Sequence, residues 1–255
     1  MSVFDNLFSS VSIINGTSKG YVMRPWRTWI IIIFMLALGA CSTPDPRFTA
    51  GLNSFQKADY STARAKWRVA ADAGVPNAQH GLGWIYENGL GVPQNYKTSA
   101  KWYSKAADQG HGGAQLNLGN FYDNGRGLPK DYKKAAAYFS RAAENNIAEA
   151  QNNLGQMYKL GHGVKQDYEK AAQLFLAAAR QNYAPAQNSI GLMFFKGQGI
   201  KQDAELAFFW ISLASLNGQA GSEHNLTFVA SFLDKNQIKR LDDEAVEWHS
   251  RWKKA

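Results

Sequence analysis

Residues 114–131 read AQLNLGNFYDNGRGLPKD. The same text returns 36 residues later as AQNNLGQMYKLGHGVKQD (150–167) and again as AQNSIGLMFFKGQGIKQD (186–203), with an earlier copy, AQHGLGWIYENGLGVPQN, at 78–95. Repetition at a fixed period marks an array of one small structural unit, and it takes precedence over residue-level readings. Within the copy at 78, apolar positions follow Ala78 at Leu82, Ile85 and Tyr86, which is one face of a helix ending near Gly89. Gly91 suits a left-handed turn. Asn95, replaced by Asp131, Asp167 and Asp203 in later copies, suits the cap of a second helix, whose side-chain oxygen takes a backbone N–H. That second helix carries Trp102, Tyr103, Ala106 and Ala107 and closes at Gly110. Neither helix can bury its apolar side alone, so the units must stack.

Working outward, residues 47–77 form an atypical first repeat. Asp59, Tyr60, Ala63, Trp67, Ala70, Ala71 and Gly74 are kept, but the glycine pair is missing and the connection shorter. Full repeats occupy 78–113, 114–149, 150–185 and 186–221. Residues 222–255 hold a partial repeat and a C-terminal capping helix from Lys235 to about Trp252, capped by Asp234, with Ile238, Leu241, Ala245 and Trp248 as its single apolar stripe. The pattern A…LG…Y..G.GV…D..KA..WY..AA..G resembles the Sel-1-like repeat family, relatives of the tetratricopeptide repeats. The resemblance covers about 47–252 and implies an all-α protein, a right-handed superhelical α-solenoid of stacked antiparallel helix pairs. Asn146 and Asn182 depart from the family's closing glycine, and asparagine tolerates the same left-handed conformation. Phe208 and Ser215 replace alanines in the last copy.

The N-terminus reads differently. Trp29 to Ala40, WIIIIFMLALGA, is 12 residues long, short of the ~20 that span a bilayer, and follows Arg24 and Arg27. It ends Leu38-Gly39-Ala40-Cys41, which resembles the lipobox of bacterial lipoproteins. The resemblance implies cleavage after Ala40 and lipidation of Cys41, making 1–41 a signal peptide and 42–46 a linker. Two or more acyl chains anchor stably, at about 0.8 kcal/mol per buried CH₂. Ser42, where an Asp would retain such proteins in the inner membrane, implies the periplasmic side of the outer membrane. Residues 1–22 make the signal unusually long, and translation is expected to start at Met23.

Composition excludes several classes. The single cysteine leaves no disulfide framework, Cys-rich zinc site or CxxC motif. The net charge of +8 is spread along the chain without a basic block, so no nucleic-acid partner is expected. No cofactor or metal site is expected either. The glycine pairs recur four times without a preceding strand, unlike a dinucleotide loop. His80, His111, His162, His224 and His249 are out of register and are expected at exposed or edge positions, and Asp242, Asp243, Glu244 and Glu247 on a solvated face. Some Sel-1-like proteins act on β-lactams, but those are cysteine-rich, and no cysteine follows Cys41 here.

The first helix of each unit has a face turned away from its core. Trp84, Asn117, Asn120, Asn153, Gln156, Leu192 and Phe195 fall on it, and the family resemblance makes it the concave face. Amides both donate and accept hydrogen bonds, so Asn117, Asn120, Asn153 and Gln156 could pair with an extended peptide while Trp84 and Phe195 anchor apolar side chains. The expected function is a non-catalytic scaffold or adaptor in the cell envelope, binding a protein or peptide partner and tied to the lipid bilayer through Cys41. The alternatives are a peptidoglycan- or glycan-binding module and, third, a cell-wall or β-lactam enzyme.

Overall fold

The computed structural model describes residues 45–254, and Cys41 with its flanks lies outside them. The pairs begin at α1 (Pro46–Gln56) and α2 (Tyr60–Asp72). Four full pairs follow: α3 (Pro76–Asn88) with α4 (Tyr96–Asp108), α5 (Gly112–Asn124) with α6 (Tyr132–Glu144), α7 (Ala148–Leu160) with α8 (Tyr168–Arg180), and α9 (Ala184–Lys196) with α10 (Ala204–Leu216). The short α11 (Ser222–Ala230) and the 20-residue α12 (Lys235–Lys254) close the array. No strand occurs among the described residues, and none of their helices is long and apolar enough to cross a membrane. The fold is the expected α-solenoid, each full pair starting two residues before its marker alanine.

The boundaries follow from local chemistry. The side chains of Asp59, Asn95, Asp131, Asp167 and Asp203 accept the backbone N–H three residues on and start α2, α4, α6, α8 and α10. Gly89, Gly125, Gly161 and Gly197 end α3, α5, α7 and α9 in the left-handed conformation, φ 64° to 73°. Asn146 and Asn182 adopt it at φ 57° and 62°, doing the work of Gly110 and Gly218 in the neighbouring copies. In the atypical first pair Ala58, at φ 59°, makes the turn that glycine makes elsewhere.

Packing within a pair depends on a missing side chain. Gly83, Gly119 and Gly155 lie flat against the rings of Tyr103, Phe139 and Phe175, and Gly191 lies against Ile211. Between pairs, the second loop glycine (Gly91, Gly127, Gly163, Gly199) rests on the first residue of the preceding pair's second helix, Tyr60, Tyr96, Tyr132 or Tyr168. The interior also holds a repeated polar element. Gln79, Gln115, Gln151 and Gln187 are buried, and each accepts an amide N–H from the residue ending its own pair: Gln109, Asn145, Gln181 and Asn217, at 2.8–3.1 Å. Gln79, Gln115 and Gln187 donate back to the carbonyls of Ala71, Ala107 and Ala179, while Gln151 donates to the Asn146 side chain. Each glutamine thus joins the end of one pair to the end of the next.

The C-terminal closure explains the departure at Phe208, and nothing in the structure explains Ser215. α12 packs on α10, with Trp248 edge-on to Phe209 and Trp210. α10 is therefore covered on more than one side, and Ala207 through Ala214 are all buried. Apolar residues all round a helix belong to such a site. Asp234 caps α12 as expected, accepting from the N–H groups of Asn236 and Gln237. The acidic residues of α12 are not uniformly solvated, which corrects the expectation. Glu244 is tucked against Arg240, Asp242 accepts from Ser212, and Arg240 reaches Glu205 of α10 at 2.6 Å.

A Cβ at position 155 would sit 2.9 Å from the Phe175 ring, which is enclosed. Gly155→Val should lower unfolding free energy by about 1–3 kcal/mol through overpacking. An unchanged urea or thermal transition would contradict the contact.

Candidate protein-binding face

The first helices α3, α5, α7, α9 and α11 lie side by side, and polar side chains stitch each to the next. Asn117 bonds His80 (3.2 Å), Asn153 donates to Asn120 (3.3 Å), Gln156 donates to Ser189 (3.4 Å), and Asn225 donates to Asn188 (2.9 Å). The expected amide ladder exists, but its rungs are engaged with one another. Each of these amides spends one hydrogen bond on a partner one repeat away, across the seam between helices.

Apolar groups flank the rungs. At one end Trp84, 40% exposed, meets Phe55 edge-on at 5.4 Å. Phe48, Leu52, Phe55, Trp67, His80 and Trp84 line an open, mostly apolar cavity of about 260 Å³. At the other end, Leu192 and Phe195 are half-buried. Phe195 meets Phe228 and Phe232 at 5.3 and 5.0 Å, and those two rings are 53% and 59% exposed. Sequence reasoning placed Trp84 and Phe195 but missed their partners on α1, on α11 and in the turn after it. Their signal was present in Phe48, Leu52 and Phe55, spaced by four and three, and in Phe228 and Phe232, spaced by four.

His224 is exposed as expected, but His80 and His111 depart from expectation. His80 and His111 stack with centroids 4.6 Å apart, and His80 lies 5.4 Å from Tyr103. His111 accepts the Ala114 N–H on Nδ1, capping α5. Burial, and then the neighbouring His111, lower the His80 pKa from 6.5 to about 4, and burial lowers His111. Burial raises the Tyr103 phenol well above its ordinary value, and the hydrogen bond it donates to Glu87 at 2.6 Å raises it further. His162 stacks on Tyr132. Among the described residues no three His, Cys, Asp or Glu side chains converge to hold a metal. The glycine pairs close the C-termini of helices rather than cradling a ligand at an N-terminus.

The family profile described as Sel1 repeat matches residues 76–111, 113–147, 148–183 and 184–219. The chain belongs to the Sel1 repeat family. The crystal structure of a Sel1 repeat protein from Oxalobacter formigenes is 29% identical, with TM-score 0.68 over 77% of this chain and 83% of that one. The structure of c5321, a protective antigen present in uropathogenic Escherichia coli strains and displaying an SLR fold, is 26% identical, with TM-score 0.52 over 80% of this chain and 56% of that one. Comparison with proteins of curated function gives no match. Sel1 repeat proteins generally mediate protein–protein interaction and are typically non-catalytic scaffolds.

Because the folded His80 pKa lies below the unfolded value, the unfolded chain takes up the proton first as pH falls. Stability conferred by neutral His80 is complete above pH 6.5 and is lost between 6.5 and about 4, a loss of about 3 kcal/mol at 1.36 kcal/mol per unit. Urea unfolding at pH 7 and pH 4.5 should show this, and His80→Gln should flatten the difference. An equally steep acid limb in that variant would assign the effect elsewhere.

Proposed function

We propose that this Sel1 repeat chain is a non-catalytic scaffold of the bacterial envelope. It takes a protein or peptide partner along the face of its first helices and is tied to a membrane by a lipid on Cys41. The observation that carries the binding reading is the pairing of two partly exposed apolar groups, around Trp84 and around Phe228 and Phe232, on either side of a polar seam. Exposed aromatic clusters rimmed by polar groups are characteristic of protein interfaces, and such anchors dominate their binding energy. The anchor rests on WIIIIFMLALGAC (29–41), and outer-membrane placement on Ser42.

The protein reading is favoured over a glycan-binding one because many rings elsewhere are already stacked by the chain's own cations. Arg68 and Lys105 lie over Trp102, Lys134 over Tyr122, and Lys170 over Tyr158. Those rings are not vacant platforms for sugars.

Two measurements test the two halves. Cys41→Ser should release the protein from the membrane fraction or leave it unprocessed, and unchanged fractionation would remove the anchor. A photo-crosslinker placed at Asn120 or Gln156 in intact cells should capture a discrete protein. Trp84→Ala combined with Phe232→Ala should cut that yield several-fold, as losing about 1–2 kcal/mol per anchor would. Capture insensitive to both changes would contradict the proposed face.

A further inference from the structure

Along the face of the first helices, four seams are closed by a polar rung and the first is not. Asn117, Asn153, Ser189 and Asn225 share one register position, and each bonds back to the preceding first helix. Gly81 holds that position in α3. A Cβ there would stand 2.8 Å from the Trp67 ring, so the indole leaves no room for a rung. Opposite Gly81, α1 carries carbon. Gly51 lies against Trp67 as Gly83 lies against Tyr103, which aligns Phe48 with His80 and Leu52 with Trp84. In later copies those two positions supply the partners of the rungs, namely Asn120, Gln156 and Asn188. The cavity beside Trp84 is this unclosed seam. We infer that it takes one tyrosine side chain of the protein partner, the ring entering between α1 and α3. The inference rests on the scaffold reading and names the residue recognised at this end of the face.

The walls and the volume select a single ring. Phe55 meets Trp84 edge-on at 5.4 Å, and Phe48 and Phe55 stack on Trp67 at 5.7 and 5.3 Å. The Trp67 N–H is spent on the Phe48 carbonyl at 3.0 Å, so that indole offers the cavity only carbon. Walls of this kind favour an aromatic guest, whose faces and edges find complementary geometry among the rings. The cavity of about 260 Å³ exceeds the ~150 Å³ that admits benzene and falls short of the ~300–1,000 Å³ of small-molecule sites. One ring bearing a substituent fits that interval.

The polar groups on the lining select a phenol. Asn117 presents an amide N–H to His80 Nε2 at 3.2 Å, so that nitrogen accepts and the ring proton sits on Nδ1. His80 lines the cavity, and no hydrogen bond among the described residues uses its Nδ1–H. Asn77 lines the cavity as well, at its exposed rim. A phenol oxygen can accept the His80 N–H and donate its own proton to the Asn77 carbonyl. Phenylalanine would fill the same space and leave both groups unmet.

The test titrates the N-acetyl amides of tyrosine, phenylalanine and leucine against the full chain in lipid nanodiscs, read by saturation-transfer NMR with empty nanodiscs as the blank. The tyrosine amide should bind about threefold more tightly than the phenylalanine amide and about tenfold more tightly than the leucine amide. Trp84→Ala should weaken tyrosine binding about tenfold by removing one wall. Leu160→Ala, at an exposed apolar side chain outside the cavity, should leave it unchanged. His80→Phe keeps a ring and removes the donor, and should erase the preference for tyrosine over phenylalanine. Leucine bound as well as tyrosine, a tyrosine preference that survives His80→Phe, or binding indifferent to Trp84→Ala would overturn the inference. Crosslinked capture from Asn120 or Gln156 would then leave the scaffold reading standing, and loss of capture as well would remove both. Dodecanoate displacing the tyrosine amide at lower concentration would overturn the inference in favour of an acyl chain. Self-association abolished by Trp84→Ala would overturn it in favour of a second copy.

Discussion

A column of buried glutamines sets the pitch of this array. Gln79, Gln115, Gln151 and Gln187 each face two helix ends, one from their own pair and one from the pair before, and a side-chain amide on a two-carbon stem donates to one and accepts from the other. The carbonyls of Ala71, Ala107 and Ala179 already accept the backbone N–H of Gly74, Gly110 and Asn182, and the glutamine amide adds a second donor to each. The glutamine reaches both helix ends at once only if consecutive pairs keep a fixed rotation and rise. The glycine–ring contacts within pairs and the loop glycines between pairs then become geometric consequences, since both need the same close approach. Apolar packing supplies the bulk of the stability, and the polar column selects one arrangement among the many that would bury similar area.

That division explains what was legible in the sequence. Glycine, aspartate and alanine act locally or at contacts repeated in every copy, so their register announced the helices, the caps and the stacking. The substitutions of Asn146 and Asn182 were legible for the same reason, because a left-handed turn is a property of one residue. Gln115 could be seen to recur, but its role could not be read, because its partners lie 8 and 30 residues away on different helices. The His80–His111 stack was invisible for a further reason. The two residues occupy different register positions, 31 apart, and meet only because α3 and α5 are neighbours. Asn120 and Gln156 lie on the side of the first helices where their register put them, but the bonds they make across the seam depend on neighbours 33 residues away.

The proposed binding face inherits its character from the same stacking. Zipping the amides together rigidifies the middle of the face and leaves the contrast to its ends, where the array runs out of neighbours. The atypical α1 supplies Phe48, Leu52 and Phe55 around Trp84, and the short α11 with the turn after it supplies Phe228 and Phe232 around Phe195. Terminal units of solenoids are irregular because one side lacks a partner repeat. Here the irregular ends carry the exposed aromatic surface, while α12 assumes the task of sealing the core over α10.

Stability and recognition meet at His80. Its ring belongs to the joint between α3 and α5 and also lines the cavity around Trp84. A partner that fills the cavity further removes that imidazole from water and so penalises its charged form. Linkage is reciprocal: whatever favours neutral His80 favours occupancy, and occupancy favours neutral His80. On the proposed function, affinity at the Trp84 end should fall as pH drops below 6.5, in the same direction as the strength of the joint itself. An aromatic partner residue in the cavity and an intact first joint are coupled states of one site, because the ring that completes the cavity wall must stay uncharged to remain in the stack.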